Sequence, residues 1–408
     1  MAETRRQKVV ILGAGYGGVL VAQGLGELEK ELGLDVVLIN KHDYHQIITQ
    51  LHEPAAGSRG GDEISIPLSR LVGREVSIIK GEITKIAPEQ KQVSLDQNRV
   101  VEYDYLIIAL GSEPEYFQIP GLREHSFPLR SLNAARLIKA HIENCLARYK
   151  INPQDESLLN FVIGGAGFTG VEMAGELAEW LPRVAPKYDV PRKKINLICV
   201  EGCPQVLFGL GDFISNTTAQ VLSNKGVELR LGTPIKEVTG DYIKIGEQKL
   251  PTKTMIWTGG VRGNILLEEA GFSCDRGRAY IDELLRSVDY ENVFIIGDCS
   301  FLVDKTTGRA FAPTAQLAIQ QAQHLVKNLE RLFSGQEQKV FRFDNKGVVA
   351  SIGQKDAVGI VFGKYRLKGK SAVLMKKLIN TRYLFILGGL PLVLEKLLGV
   401  SRQGKADN

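Results

Sequence analysis

Tryptophan is scarce in this chain: Trp180 and Trp257 are the two among 408 residues, and all aromatics together make up 7%. Stacking platforms for single-stranded nucleic acid are therefore poorly supplied, and nucleic acid is not expected as a partner. Cysteine is sparse as well. Cys145, Cys199, Cys203, Cys274 and Cys299 form no CxxC pair and are odd in number, which argues against a disulfide framework and for a reducing compartment. Long apolar runs are missing too. Residues 383–394 carry no charge, but twelve residues fall short of the roughly 20 that a spanning helix needs, and Gly388, Gly389 and Pro391 interrupt them.

Glycine, at 43 residues, is plentiful, so sites of close backbone approach are well provided. With 44% hydrophobic and 24% charged residues, the composition is that of a soluble, well-cored chain of two or three domains. The first residues join a charged head to an apolar run, as a signal peptide would, but four glycines break that run. They are expected to form the first strand and helix of the mature protein. The net charge of +5 is unevenly spread: residues 364–408 sum to +8, including Arg402 and Lys405 against Asp407, and the remainder to −3. A basic end on a slightly acidic body points to an anionic surface.

Residues 8–12 (KVVIL) read as a buried strand feeding Gly13, Gly15 and Gly18 of a GxGxxG and then a helix. The arrangement returns with residues 159–163, followed by Gly165, Gly167 and Gly170 and a helix through Trp180. By itself GxGxxG is weak at this glycine content. Both copies, however, sit between strand and helix, where the first glycine turns the chain, the second admits a pyrophosphate and the third lets helix pack on strand. The fold class is therefore α/β, with two Rossmann-type dinucleotide-binding domains and a small C-terminal region. Further apolar runs end in glycine at Ala109 to Gly111, at Gly259 and Gly260, and at Gly297, each as if delivering backbone to a ligand. The strand after the second motif ends in Glu201, whose carboxylate suits a ribose 2′-hydroxyl and repels a 2′-phosphate, so NADH is expected over NADPH. Its counterpart after the first motif is Asn40 followed by Lys41, without the usual acid.

Together with residues 40–45 (NKHDYH), 51–57 (LHEPAAG), 164–172 (GGAGFTGVE), 258–262 (TGGVR), 297–298 (GD) and 315–320 (AQLAIQ), these motifs resemble the type II NADH:quinone oxidoreductases, single-subunit respiratory NADH dehydrogenases, from residue 8 to about 400. The resemblance implies a non-covalent FAD held by Gly13, Gly15, Tyr16, Gly17, Gly18, Asn40, Lys41, Ala109, Gly111, Gly297, Asp298, Ala315 and Gln316. NADH would lie on Gly165, Gly167, Phe168, Thr169, Gly170, Glu172, Glu201, Gly259 and Gly260. Glu172, Gln316 and Gln320 would be catalytic, and Gln316, Gln320, Lys376 and Ile379 would meet a membrane quinone. Hydride would pass from NADH to FAD and two electrons on to quinone, without proton pumping.

The expected division is 1–120 with 285–335 for FAD, 121–284 for NADH and 336–408 for membrane association. In the last segment Ala372, Val373, Met375, Leu378 and Ile379, bordered by Lys376, Lys377 and Arg382, fit an amphipathic helix lying on the cytoplasmic side of an anionic phospholipid surface. A helix docked on the protein's own core is the plainer reading of the same apolar residues. A homodimer is one assembly open to such a chain. His42, His45 and His52 cluster without matching Cys or acidic spacing, so no metal is expected. Two other functions stay open: an FAD- and NADH-binding redox sensor without turnover, and a sulfide:quinone oxidoreductase, which would need cysteines paired beside the flavin.

Overall fold

A computed structural model describes residues 5–398. Arg402, Lys405 and Asp407 of the basic tail lie outside them. The chain divides into two compact units. One comprises residues up to Ile47, Ser65–Glu113 and Val261–Asp344; the other comprises Ile48–Ile64, Pro114–Gly260 and the segment from Asn345 onward.

The first unit is built on a five-stranded parallel sheet in the order Val293–Ile295, Tyr105–Ile108, Gln7–Leu12, Leu34–Asn40, Val76–Lys80. Val9, Val10, Ile11 and Leu12 are all fully buried, as befits a strand covered on both faces. The helix Tyr16–Leu32 follows the first glycine loop and packs on the helix Ala315–Phe333, where Gly24 lets Val326 approach.

The second unit repeats the plan, with parallel strands in the order Phe127–Pro128, Thr254–Trp257, Asn160–Gly164, Asn196–Val200, Val227–Arg230. Its glycine loop opens the helix Phe168–Val184, which runs two residues beyond Pro182. The two sheets differ in the source of one edge strand: late in the chain for the first unit, early for the second.

The expected borders at 120, 284 and 335 differ from these units, and the C-terminal segment forms no body of its own. The antiparallel strands Gly347–Ser351, Ala357–Val361 and Tyr365–Lys368 lie against the Phe168 helix, and residues 48–64 join the same unit. The cause is packing: Gly175 brings the helix against the backbone of Ile352 and Gly353, and Val349, Ala357 and Val361 share a core with Ala372. The C-terminal helix Lys370–Leu398 has two faces. Ala372, Tyr383 and Leu387 are buried, whereas Leu374, Leu378 and Phe385 are 60%, 54% and 58% exposed. The single apolar face expected for this segment is thus corrected, because Ala372, Val373 and Met375 turn inward onto the core cluster. Gly388 and Gly389 leave helical geometry and divide the helix in two.

Gly175→Ala tests the packing. In an exposed helix the change would stabilise by about 1 kcal/mol. Here a Cβ would overlap the 352–353 backbone, so a net loss of about 1–3 kcal/mol is expected from denaturant unfolding.

Candidate functional site

Each unit carries one glycine cradle. In the first, Gly13 turns the chain at φ 93° with no room for a side chain beside Ala109, and a Cβ on Gly18 would overlap the Gly13 carbonyl. Gly15, by contrast, has no protein atom within 4 Å of where its Cβ would stand. Crowding at the first and third glycines and open space at the second are what a pyrophosphate site demands. Gly17 packs against Ile296, and Gly111, at φ 71°, also faces open space.

The loop is held from below. Asn40 accepts from the Ala14 N–H at 2.9 Å and donates to the His42 carbonyl at 2.7 Å. His45, fully buried and with its pKa lowered to about 4 by burial, is neutral, and its Nδ1 lies 2.8 Å from the Ala14 carbonyl. Its ring meets Tyr16 edge-on at 5.7 Å. Lys41 is paired with Glu82 at the surface, 2.7 Å away, and its ammonium is thereby engaged outside the loop.

Asp298 follows Gly297, which has φ 73°. Burial pushes its carboxyl up from the ordinary value, against the Ser112 hydroxyl, which donates at 2.9 Å, and the charge of Arg278. Gln321 sets this turn: its Oε1 accepts from the Gly297 N–H at 2.7 Å and its Nε2 donates to Ser300 at 3.2 Å. Gln321 is fully buried and was not singled out from the sequence, although the phase of Leu317, Gln321 and Leu325 along the helix marks it as inward. Thr314 caps that helix by accepting from the Leu317 N–H, so Ala315 and Gln316 lie in its first turn.

Gln320, expected to orient quinone, is engaged with the backbone of Asp344, donating to its carbonyl and accepting from its N–H, each at 2.9 Å. Both ends of the amide are used, and the residue pins the connection that precedes the C-terminal strands.

The second cradle is tighter. Gly165, at φ 96°, abuts Gly259, and Gly170 abuts the Gly165 carbonyl, whereas Gly167 faces open space. Gly259 and Gly260 leave room for the rings of Trp257 and Phe117. The Glu201 carboxylate accepts from the N–H groups of Ala166 at 2.7 Å and Cys203 at 2.9 Å, a position equivalent to that of Asn40. Phe168 and Thr169 open the helix and are partly exposed.

Glu172, one turn into that helix, is nearly fully buried. Its Oε1 accepts from Lys376 Nζ at 2.8 Å and from the Ser351 N–H and hydroxyl at 3.2 and 3.0 Å, and its Oε2 lies 3.6 Å from His52 Nδ1. Burial alone would raise its pKa, but the charge and hydrogen bond of Lys376 and the Ser351 N–H outweigh it, and the carboxyl titrates below its ordinary value. His52, lowered to about 4 by burial, is the neutral neighbour. Glu172 and Lys376, 204 residues apart, are thus brought together, while Ile379 faces outward. Ser351 and His52 carried no signal for this role in the sequence.

The five thiols are free. Burial pushes Cys199 and Cys299 up to about 12, so both are protonated and poorly suited to attack sulfur.

Two nucleotide cradles on Rossmann sheets define the class of two-dinucleotide oxidoreductases, and residues 7–325 match the pyridine nucleotide-disulphide oxidoreductase family. Among curated relatives, the type II NADH:quinone oxidoreductase of Staphylococcus saprophyticus is 38% identical over 400 residues, covering 96% of this chain and 98% of that protein. Its Staphylococcus aureus counterpart is 36% identical over 397 residues, with the same coverage. The chain belongs to the type II NADH:quinone oxidoreductase family. In fold it is similar to NDH2 from Plasmodium falciparum in complex with NADH (TM-score 0.86, 20% identity, 98% and 99% of the two chains). It is also similar to the sulfide:quinone oxidoreductase of Aquifex aeolicus (TM-score 0.77, 21%, 97% and 96%).

Gln321→Leu, which keeps the volume and removes both hydrogen bonds, leaves the Gly297 N–H unpaired. At about 1–3 kcal/mol for a buried orphan donor, flavin retention on dialysis should weaken roughly tenfold or more. Gln320→Ala, which removes both bonds to Asp344, should raise proteolytic cleavage in residues 335–346 without loss of flavin on dialysis.

Proposed function

We propose that this protein is a membrane-bound flavoenzyme that takes a hydride from NADH onto FAD and delivers two electrons to a membrane quinone, without pumping protons. The observation that carries this reading is the joint presence of both open-centred glycine cradles and of Glu201 in a chain 38% identical, over nearly its whole length, to a type II NADH:quinone oxidoreductase.

FAD, when bound, supplies the two-electron chemistry that connects a hydride donor to a quinone. The chain's own residues position and neutralise. Gly13, Gly15 and Gly18 with the N-terminus of the Tyr16 helix would receive the FAD pyrophosphate, and Asp298 its ribityl hydroxyls. Gly165, Gly167 and Gly170 would receive that of NADH, with Glu201 on the ribose. Gln316, at the positive end of its helix, offers an amide to a flavin or quinone carbonyl. Lys376, held by Glu172, presents a cation where quinone oxygens gain charge. The free, protonated thiols disfavour the sulfide-oxidising alternative.

Attachment to a phospholipid surface on the cytoplasmic side completes the reading. Leu374, Leu378 and Phe385 form one exposed row, with Lys377 and Arg382 at its borders, and beyond the kink Leu390, Leu394 and Leu397 continue it. Such a row lies in the interface, where each basic residue near anionic lipid adds about 1 kcal/mol. A homodimer is the proposed assembly, and light scattering of the detergent-solubilised protein, with a mass twice 44.9 kDa, checks it.

Steady-state oxidation of NADH with a soluble quinone, set against ferricyanide and no acceptor, tests the activity. Quinone-dependent turnover and a preference for NADH over NADPH that narrows in Glu201→Ala are expected; equal efficiency with both nucleotides in the unmodified protein overturns the assignment of Glu201. Replacing Leu374, Leu378 and Phe385 together by Ser should abolish sedimentation with anionic liposomes without loss of flavin. Undiminished binding would place the anchor elsewhere.

A further inference from the structure

Reduction of a quinone to a quinol takes two electrons and two protons. A hydride brings two electrons and one proton, so the activity proposed above requires one more proton per turnover. Glu172 does not hold it at neutral pH: its carboxylate is saturated by Lys376 and Ser351 and titrates low. His52, neutral at this pH, does not carry one to spare either.

One helical turn beyond Glu172, on the same face, stands Glu176, with 2% of its surface exposed. Its Oε2 is buried and has no hydrogen-bond partner, and the Ser58 hydroxyl, which also lies 3.0 Å from the Glu53 carbonyl, is the side-chain donor near the carboxyl among the described residues. Its charged surroundings are unbalanced. From the adjoining segment Glu53 faces it, paired with Arg59 at 3.1 Å. From its own helix Glu179 faces it, paired with Lys225 at 2.6 Å, and Arg183, which donates to the Glu179 carbonyl, favours ionising Glu176 by less than burial, Glu53 and Glu179 disfavour it. Each of the carboxylates Glu53, Glu172 and Glu179 has a cation within ion-pair distance, and among the described residues Glu176 has none that close. Ionising it would bury an unpaired negative charge beside two others; protonating it gives the orphan oxygen a hydrogen to donate.

We propose that Glu176 is the proton store for quinone reduction. Its O–H proton crosses the Glu172 carboxylate, one turn away on the same helix face, only in transit to a quinone oxygen, an uphill step because Glu172 titrates below its ordinary value, and Glu176 is reprotonated from solvent by way of the half-buried Ser58 hydroxyl. One O–H bond breaks at Glu176 and one forms on the quinone, so the overall change is NADH, one proton and quinone converted to NAD⁺ and quinol. The charge balance fits this task, since burial lifts the Glu176 pKa to about 7, where a carboxyl both holds and releases a proton readily. The inference rests on the quinone reductase reading of the preceding subsection.

Infrared spectroscopy of the flavin-loaded protein without substrates provides the first test and needs no variant. A protonated-carboxyl stretch should disappear with a midpoint near pH 7. It should be missing in Glu176→Gln, and in Glu53→Gln, which removes one neighbouring charge, the midpoint should fall by about one unit. A protein with no carboxyl titrating between about pH 6 and 8, or a band that survives in Glu176→Gln, overturns the proposal. Rapid mixing supplies the second test. In the unmodified protein, flavin reoxidation by quinone should slow as pH rises through about 7, because the proton-bearing form is lost. Glu176→Gln should slow reoxidation by a factor of about 100 and reduction by NADH far less, with partial recovery in Glu176→Asp. Equal reoxidation rates in the variant and the unmodified protein also overturn it. Failure of NADH to reduce the flavin of the unmodified protein would instead overturn the underlying quinone reductase reading.

Discussion

A carboxylate withdrawn from water keeps its charge only where fixed donors replace the water, and the second unit is organised around that requirement at Glu172. Lys376 and Ser351 reach it from the C-terminal helix and strand, and His52 from a short segment much earlier in the chain. None of the three is near Glu172 in sequence. Their convergence explains why residues 48–64 and those from Asn345 onward belong to the unit that holds the second glycine loop. Gly175, by admitting the strand backbone close to the helix, makes the approach sterically feasible.

The glycine loops were legible because their constraints are local. A left-handed turn at Gly13 or Gly165, a crowded third glycine and an open second one are all dictated within six residues. The carboxylate Glu201 was legible for a related reason, since a parallel strand always ends beside the loop of its neighbour. What depended on tertiary packing was hidden. Gln320 and Gln321 are adjacent and chemically identical, yet one clamps Asp344 and the other the Gly297 turn, because consecutive residues on a helix point about 100° apart. Motif spacing selected the first of the pair; burial selects the second. The unit borders were equally hidden, since strand edges borrowed from distant segments leave no mark in composition.

The clustered histidines serve three separate local tasks. His42, His45 and His52 fall within eleven residues, but His42 stacks on Tyr44, His45 supports the Ala14 carbonyl, and His52 stands by Glu172. Burial keeps His45 and His52 uncharged at neutral pH, so each serves as a rigid polar shim and not as a charge. Burial likewise keeps the Cys199 and Cys299 thiols protonated at neutral pH.

The C-terminal helix performs two duties on opposite faces, with Ala372 and Lys376 inward and Leu374 and Leu378 outward. The exposed apolar row and the reach of Lys376 toward Glu172 are therefore inscribed on one stretch of polypeptide. Cutting the helix away to obtain a water-soluble form would also delete the lysine that neutralises a buried carboxylate. A more soluble form has to be sought by repainting the outer row alone, and a molecule wedged beneath the helix would disturb the exposed row and the Lys376–Glu172 pair in a single act.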